Sequence, residues 1–191
     1  MGFTMSDETE ELEEEDEPSL LIPLGRDNLY AMLSYYDEDL LQLEWYAHRG
    51  KGDYYYAAHR FSIGGGLRER EWLHTVVMER MIGRKLREGE LADHSNLDKL
   101  DNRRSNLRLA SRAENEANKR KRVTGGTSKY KGVSYMKTRN RWRATIQIDH
   151  KQRYLGTYID EDDAGRAYNK AALEIFGEFS LLNEIPEKET E

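Results

Sequence analysis

From Trp142 to Ile148 the chain alternates without a break, with Trp142, Ala144, Ile146 and Ile148 on one side and Arg143, Thr145 and Gln147 on the other. A period of two marks a half-buried strand, because successive Cβ atoms leave opposite faces of a pleated backbone. Asp149-His150 supplies a turn into a second strand, Arg153-Tyr154-Leu155-Gly156-Thr157-Tyr158. From Asp160 the period becomes helical: Ala164, Ala167, Tyr168, Ala171, Ala172 and Ile175 share a stripe, and Gly177 stops it. A sheet covered by one helix leaves its other face open, and here that face carries arginines. Residues 129–183 are therefore expected to form a three-stranded antiparallel sheet packed on one helix.

Upstream, Val123 to Ser128 with Gly125-Gly126 reads as a linker, residues 123–128. Residues 1–19 form an acidic tail that is expected to be disordered, since Asp7 to Glu17 holds nine acidic residues and no basic one. Residues 184–191 are a second, short tail. Between these lies a mixed region, 20–122. Leu20-Leu21-Ile22-Pro23-Leu24 and Leu29 to Leu33 flank the turn-formers Gly25-Arg26-Asp27-Asn28, which predicts a hairpin. Asp37 to Leu43 reads as one or two helical turns. Tyr54 to Ala58 and Leu67 to Leu73 read as strands around Gly64-Gly65-Gly66. Trp72 to Gly83 reads as a helix burying Leu73, Val76, Val77 and Met81. His74 falls at its start, where a lone histidine among apolar neighbours is ordinarily a packing residue.

The formal net charge of −6 belongs to the acidic tail; without Asp7 to Glu17 the balance is +3, and between Arg68 and Arg153 it is +12. A basic stretch of that size, interleaved with Tyr and Trp, suits a polyanion. No cysteine is present, which excludes disulfides, thiolate nucleophiles and Cys-ligated zinc. Any metal must then sit on oxygen and imidazole donors. No apolar run approaches a membrane span and no signal-peptide pattern opens the chain, so a cytoplasmic protein is expected.

The chemistry concentrates in Asp93-His94 and the stretch that follows. Leu91 to His94 and Ser105 to Leu109 read as two short strands, on which alternation lets His94 and Asn106 meet across an antiparallel pair. Ser111 and Glu114 form a capping box that starts a helix at Arg112, placing Asn115 just past its first turn and Lys119-Arg120-Lys121-Arg122 at its end. Cleaving a phosphodiester needs an activated water, a cation on the developing charge and a stabilised leaving oxygen. His94 suits the general base, because an imidazole titrates near neutrality. Asp93 and the Asn115 amide oxygen are hard donors that suit Mg²⁺, or another oxygen-preferring ion such as Mn²⁺, with water and phosphate filling the remaining positions. Asn106 can hold the His94 ring, and Arg103, Arg104 and Arg108 can clamp phosphates.

Asp93-His94, Leu100 to Arg108 and Glu114-Asn115 together resemble the HNH endonuclease motif in its phage and intron-encoded homing form. The resemblance implies a fold of two strands and a helix around one metal ion, with His94 as base, Asp93 and Asn115 as metal ligands and Asn106 supporting the base. Asparagine stands at the third motif position, where histidine is the other form. Ser95-Asn96-Leu97 stands where the family commonly has an apolar residue and Asn-Gly, so the tight turn lacks its glycine.

The C-terminal unit resembles the ethylene-response-factor (Apetala-2-type) DNA-binding domain through Tyr130-Lys131-Gly132-Val133, Tyr154 to Tyr158 and Ala164 to Ala172. That resemblance implicates Lys131, Ser134, Thr145, Gln147, Tyr154, Thr157 and Tyr168 in DNA contact. Alternation adds Arg143, and loop placement adds Lys137, Arg139 and Arg141. The fold class expected is α+β: a ββα-metal nuclease module behind a small β-rich leader, then a sheet packed on one helix. The function expected is a Mg²⁺-dependent endonuclease of homing type acting on double-stranded DNA, with no membrane and no obligate protein partner. The rival is a DNA-binding regulator without catalysis, and RNA as the substrate stays open.

Overall fold

A computed structural model describes residues 18–26, 28–121 and 126–187. The expectations for residues 1–17 of the acidic tail, Asp27, Arg122, residues 123–125 of the linker and residues 188–191 of the second tail lie outside the described residues, and Ser19 of the expected tail already belongs to a strand. The chain is α+β, built from small antiparallel sheets and few helices. None of its helices is long and apolar enough to cross a membrane among the described residues.

The leader opens with strands β1 (Ser19–Pro23) and β2 (Tyr30–Ser34), paired antiparallel as the turn-formers predict. A 3-10 helix, Tyr35–Gln42, follows. Next comes a three-stranded meander, β3 (Trp45–Arg49), β4 (Tyr55–Gly64) and β5 (Leu67–Trp72), with β4 in the middle. The β3 strand carries no clean apolar alternation and is not legible in the sequence. Helix α1 (Leu73–Ile82) ends at Gly83, whose φ of 67° takes the left-handed cap that glycine adopts without strain. Leu73, Val77 and Met78 are its buried residues, while Val76 packs at the margin. Met81 is 37% exposed against 1% for Met78, so the buried stripe sits three residues earlier than the sequence suggests. Burying Leu73 and Val77 completely contributes on the order of 2 kcal/mol each.

Strands β6 (Glu90–His94) and β7 (Leu107–Ser111) pair antiparallel, with Asp93 opposite Arg108 and His94 opposite Leu107. Helix α2 (Arg112–Ala117) starts on the expected capping box: Glu114 N donates to Ser111 Oγ at 3.3 Å, and Ser111 N donates to Glu114 Oε2 at 2.7 Å. The helix stops at Ala117 rather than running on into the basic run. Its last carbonyls are taken by Lys131 Nζ, which lies 2.6 Å from Ala117 O and 2.8 Å from Lys119 O. The leader and this hairpin share one core, in which Ile22, Leu33, Trp45, Ala57, Val77 and Leu107 meet. The backbone of Met32 reinforces the join, bonding Leu100 O at 2.8 Å and Asn102 N at 2.9 Å.

The last unit is the sheet β8 (Val133–Met136), β9 (Arg141–Ile148) and β10 (Lys151–Tyr158), in the order β10-β9-β8, with helix α3 (Glu161–Phe176) on one face. Asp149 and His150 form its turn with φ of 46° and 65°, the backbone of a type I′ hairpin. Asp160 caps α3 by accepting from the N–H groups of Asp162 and Asp163. Ala144, Ile146, Ala164, Tyr168 and Ala172 are buried between sheet and helix. Ala117 of α2 belongs to the same cluster, and Leu181 N donates to Ala117 O, so this unit is docked on the end of α2.

Candidate active site and nucleic-acid interface

The end of β6 brings His94 to the wall of a cavity of about 370 Å³, with the buried Asp93 next to it in the strand. His74, His94, Lys99 and Asn115 line it together with Tyr56 and Trp72. The two imidazoles stand edge to face with ring centroids 5.2 Å apart. Burial holds the His94 pKa well below its ordinary 6.5, and the neighbouring His74 and Lys99 push in the same direction. The ring is therefore neutral at pH 7 and able to accept a proton. Its Nε2 lies 3.4 Å from Asn102 Oδ1, and the tautomer that donates to this oxygen carries its hydrogen on Nε2 and its lone pair on Nδ1. His74 is lowered to about 4, mainly by burial with Lys99 adding to it, and its Nδ1 is buried without a partner.

Asp93 is 1% exposed. Its Oδ2 accepts from Arg108 Nη2 at 2.9 Å, Arg108 Nε at 3.1 Å and Asn118 Nδ2 at 2.9 Å. Its Oδ1 is buried and has no partner at all. The Asp93 charge is felt by two groups on the cavity wall. It offsets part of the burial that holds Lys99 below its ordinary range, and it adds to the burial that pushes the Tyr56 phenol up to about 12. A buried acceptor without a donor is an unfavourable feature on its own account, and a cation on Oδ1 would remove it. Among the described residues no cluster of three or more His, Cys, Asp or Glu could hold a metal. Of the two oxygen donors expected at a cation, Asp93 offers the unpartnered Oδ1 and Asn115 lines the cavity; so small a donor set suits an ion that keeps most of its waters.

Asn106 does not meet the His94 ring. Its Oδ1 accepts from Ser95 Oγ at 2.8 Å and Asn96 N at 3.0 Å, and its Nδ2 donates to Asp101 O at 2.7 Å. It fixes the two ends of the loop that carries Lys99, while Asn102 takes the place beside the imidazole. The three arginines expected at phosphates are each bound to a buried carboxylate instead. Arg103 spans both oxygens of Asp101 at 2.9 and 2.8 Å, Arg104 spans those of Asp37 at 2.7 and 2.9 Å, and Arg108 holds Asp93. The reason is electrostatic: Asp37, Asp93 and Asp101 are at most 1% exposed, and a buried carboxylate needs a paired cation. Sequence reasoning passed over Asn102, Asn118 and Lys99. Asn118 carried a signal, since it follows Asn115 by three residues on one helix and so shares its face.

On the C-terminal sheet, Ser134, Arg143, Thr145, Gln147, Tyr154 and Thr157 all lie on the face away from α3. A bulge between Tyr154 and Gly156 shifts the register, which is why Tyr154 and Thr157 share a face despite their odd spacing. Tyr154 Oη and Thr157 Oγ1 are 2.6 Å apart, and Gln152 Nε2 donates to Thr145 Oγ1 at 3.1 Å. Arg143 Nε is buried without a partner. Lys137 and Arg139 are exposed in the β8–β9 turn, beside Arg141. Two expected contacts are elsewhere. Tyr168 is 4% exposed in the core, where a Cβ on Gly132 would meet its ring at 2.1 Å. Lys131 is spent on the α2 carbonyls, where burial lowers it to about 8.

Two strands and a helix, with an Asp-His pair at the strand end, form a ββα arrangement. Residues 71–117 match the sequence model of the HNH endonuclease family. The chain is also 34% identical over 116 residues to an uncharacterized HNH endonuclease of Acanthamoeba polyphaga mimivirus, a match covering 59% of this chain and 57% of that protein. The chain is 40% identical over 67 residues to a putative AP2/ERF and B3 domain-containing protein of Oryza sativa subsp. japonica, covering 35% of this chain and 21% of that one. It is likewise 40% identical over 60 residues to an ethylene-responsive transcription factor of Arabidopsis thaliana, covering 30% and 14%. The chain thus spans a little over half of the viral relative and a smaller share of the plant ones.

Proposed function

We propose that this chain is a divalent-metal-dependent endonuclease that cleaves phosphodiester bonds of double-stranded DNA, with the C-terminal sheet placing the duplex. The observation that carries the reading is the pair at the end of β6: a neutral, buried imidazole beside a carboxylate whose Oδ1 has no partner. Asp93 and Asn115 would hold the ion, Mg²⁺ or Mn²⁺, which when bound supplies positive charge to the phosphate. His94 takes a proton from the attacking water at Nδ1 while Asn102 keeps Nε2–H oriented. Lys99 brings a cation to the same cavity for the phosphate or the leaving oxygen. Asn106 holds the loop that carries Lys99 in place.

The open face of the C-terminal sheet supports placement of the duplex. Arg143, with an unpartnered Nε, sits between Ser134 and Thr157, and exposed Tyr154 and Gln147 lie farther along the same face. Lys137, Arg139 and Arg141 at its tip suit phosphates, which fix register without reading sequence. Incubating supercoiled plasmid with the chain and Mg²⁺ or Mn²⁺ is expected to give nicked or linear product, and His94→Ala to give none while still binding DNA. Failure of the unaltered chain to cut under any divalent ion, with DNA binding retained, would refute the nuclease reading.

A further inference from the structure

The β3-β4-β5 sheet has two chemically opposite faces. Its pairing puts Tyr46 and Trp72 beside Ala58, His48 beside Tyr56, Arg70 beside Arg60 and Arg68 beside Ser62, so these residues share one side. The other side carries Glu69 and Glu71 and packs Trp45, Ala47 and Ala57 into the core. The first side has no Asp or Glu on its strands; Glu44 stands at its rim, just before β3.

On that side Arg60 and Arg70 are direct cross-strand partners, an arrangement in which like charges repel. Rings rather than carboxylates hold them. Arg60 Cζ lies 4.8 Å from the Tyr46 ring centre and its Nε donates to Tyr46 Oη at 3.0 Å. Arg70 Cζ lies 5.0 Å from the Trp72 ring centre, with Nη1 3.1 Å from His48 Nδ1. Burial first, and then the charges of Arg70 and Arg60, hold the His48 pKa below its ordinary value. A guanidinium lying on a ring is already oriented and keeps further N–H donors for an anion, so little freedom is lost when one binds.

This face is continuous with the cavity. Tyr56 and Trp72 line the cavity wall, Trp72 stacks with His74 at 6.2 Å, and His74 touches His94 at 5.2 Å. We propose that Arg60, Arg68 and Arg70 form a second DNA-contacting surface, which binds the phosphate backbone immediately flanking the bond held in the cavity. The proposal rests on the nuclease reading for its substrate. It assigns the leader sheet a task separate from that of the C-terminal sheet: holding the strand at the cut rather than placing the protein along the duplex.

The test uses the whole chain, with Arg60→Ala/Arg68→Ala/Arg70→Ala compared with the same three positions changed to Lys. Binding of a labelled DNA duplex is followed over a range of salt concentrations, and plasmid nicking is measured in parallel. The alanine variant is expected to lose about 2 to 3 from the slope of log affinity against log salt, and the lysine variant to keep the slope of the unaltered chain. Should the triple variant melt early, Arg68→Ala alone is read for a loss of about 1, because its side chain is exposed. An unchanged slope with normal nicking overturns this surface and leaves the nuclease reading standing. A reduced slope in a chain that never cuts supports the surface and sinks the nuclease reading. An RNA duplex that outcompetes DNA through the same arginines overturns the assignment to DNA.

Discussion

Arg108 holds Asp93 from directly across the β6–β7 ladder, with Nη2 2.9 Å and Nε 3.1 Å from the same carboxylate oxygen. Because both contacts fall on Oδ2, Oδ1 is the oxygen left without a partner. The guanidinium is held in turn by Glu178 O at 2.8 Å, with its Cζ 4.2 Å from the Phe179 ring centre. The side chain that orients the candidate metal ligand is therefore anchored on the C-terminal unit.

Removing one partner of a buried ion pair strands the other. Arg108→Ala is expected to cost about 3 to 5 kcal/mol in urea unfolding. Adding Asp93→Asn should restore a good part of that stability, because no buried charge is then left unpaired, while nicking stays abolished. Additive stability losses in the two single variants and the double variant would show that the pair is not coupled.

Leu97 has a φ of 71°, a left-handed backbone, in the turn that follows His94. A side chain there costs about 1 to 2 kcal/mol that glycine does not. Leu97→Gly is expected to raise stability by about 1 kcal/mol after allowance for glycine's greater freedom in the unfolded chain. Loss of stability in the variant would mean that the leucine side chain contributes more by packing than its backbone loses.

Lys131 and Arg143 separate two kinds of cation. Lys131→Ala removes a donor shared by the carbonyls of Glu116, Ala117 and Lys119 at and just past the end of α2. It is expected to cost about 1 to 3 kcal/mol of stability and to leave the salt slope of DNA binding unchanged. Arg143→Ala should do the reverse, lowering the slope by about 1 with little effect on melting. Differential scanning calorimetry beside anisotropy titrations distinguishes them.

His74 titrates at about 4 in the folded chain against an ordinary 6.5. Between those values the unfolded chain binds a proton that the folded one refuses, so stability falls as pH drops from 6.5 towards 4. The slope is at most about 1.4 kcal/mol per pH unit. Above pH 6.5 the group contributes nothing to the slope, and below about 4 the full penalty is present. His74→Phe, which keeps an apolar ring, should flatten the acid limb of a urea-midpoint profile by about one proton. An identical limb in both proteins would place the proton uptake elsewhere.

The sequence by itself determined what depends on near neighbours. Alternation over residues 142–148 gave β9 and the identity of its open face, Ser111 and Glu114 gave the start of α2, Asp149-His150 gave the hairpin turn, and Gly83 and Gly177 gave the ends of α1 and α3. The resemblance to the HNH motif, rather than any local pattern, marked a glycine-preferring place in the loop after His94, and Leu97 has a left-handed φ of 71° there. Tertiary structure decided which polar side chains are spent on the fold. Arg104 is bound to Asp37, 67 residues away, and Lys131 is held by the end of α2, so both are committed to the fold. Asn102 rather than Asn106 stands beside the imidazole, and His74 and Lys99 join the cavity. The physical reason is that periodicity and caps are set within one or two turns of chain. The counter-charge of a buried carboxylate is set by whichever cation the folded backbone brings within about 3 Å, and that distance is not written in any local pattern.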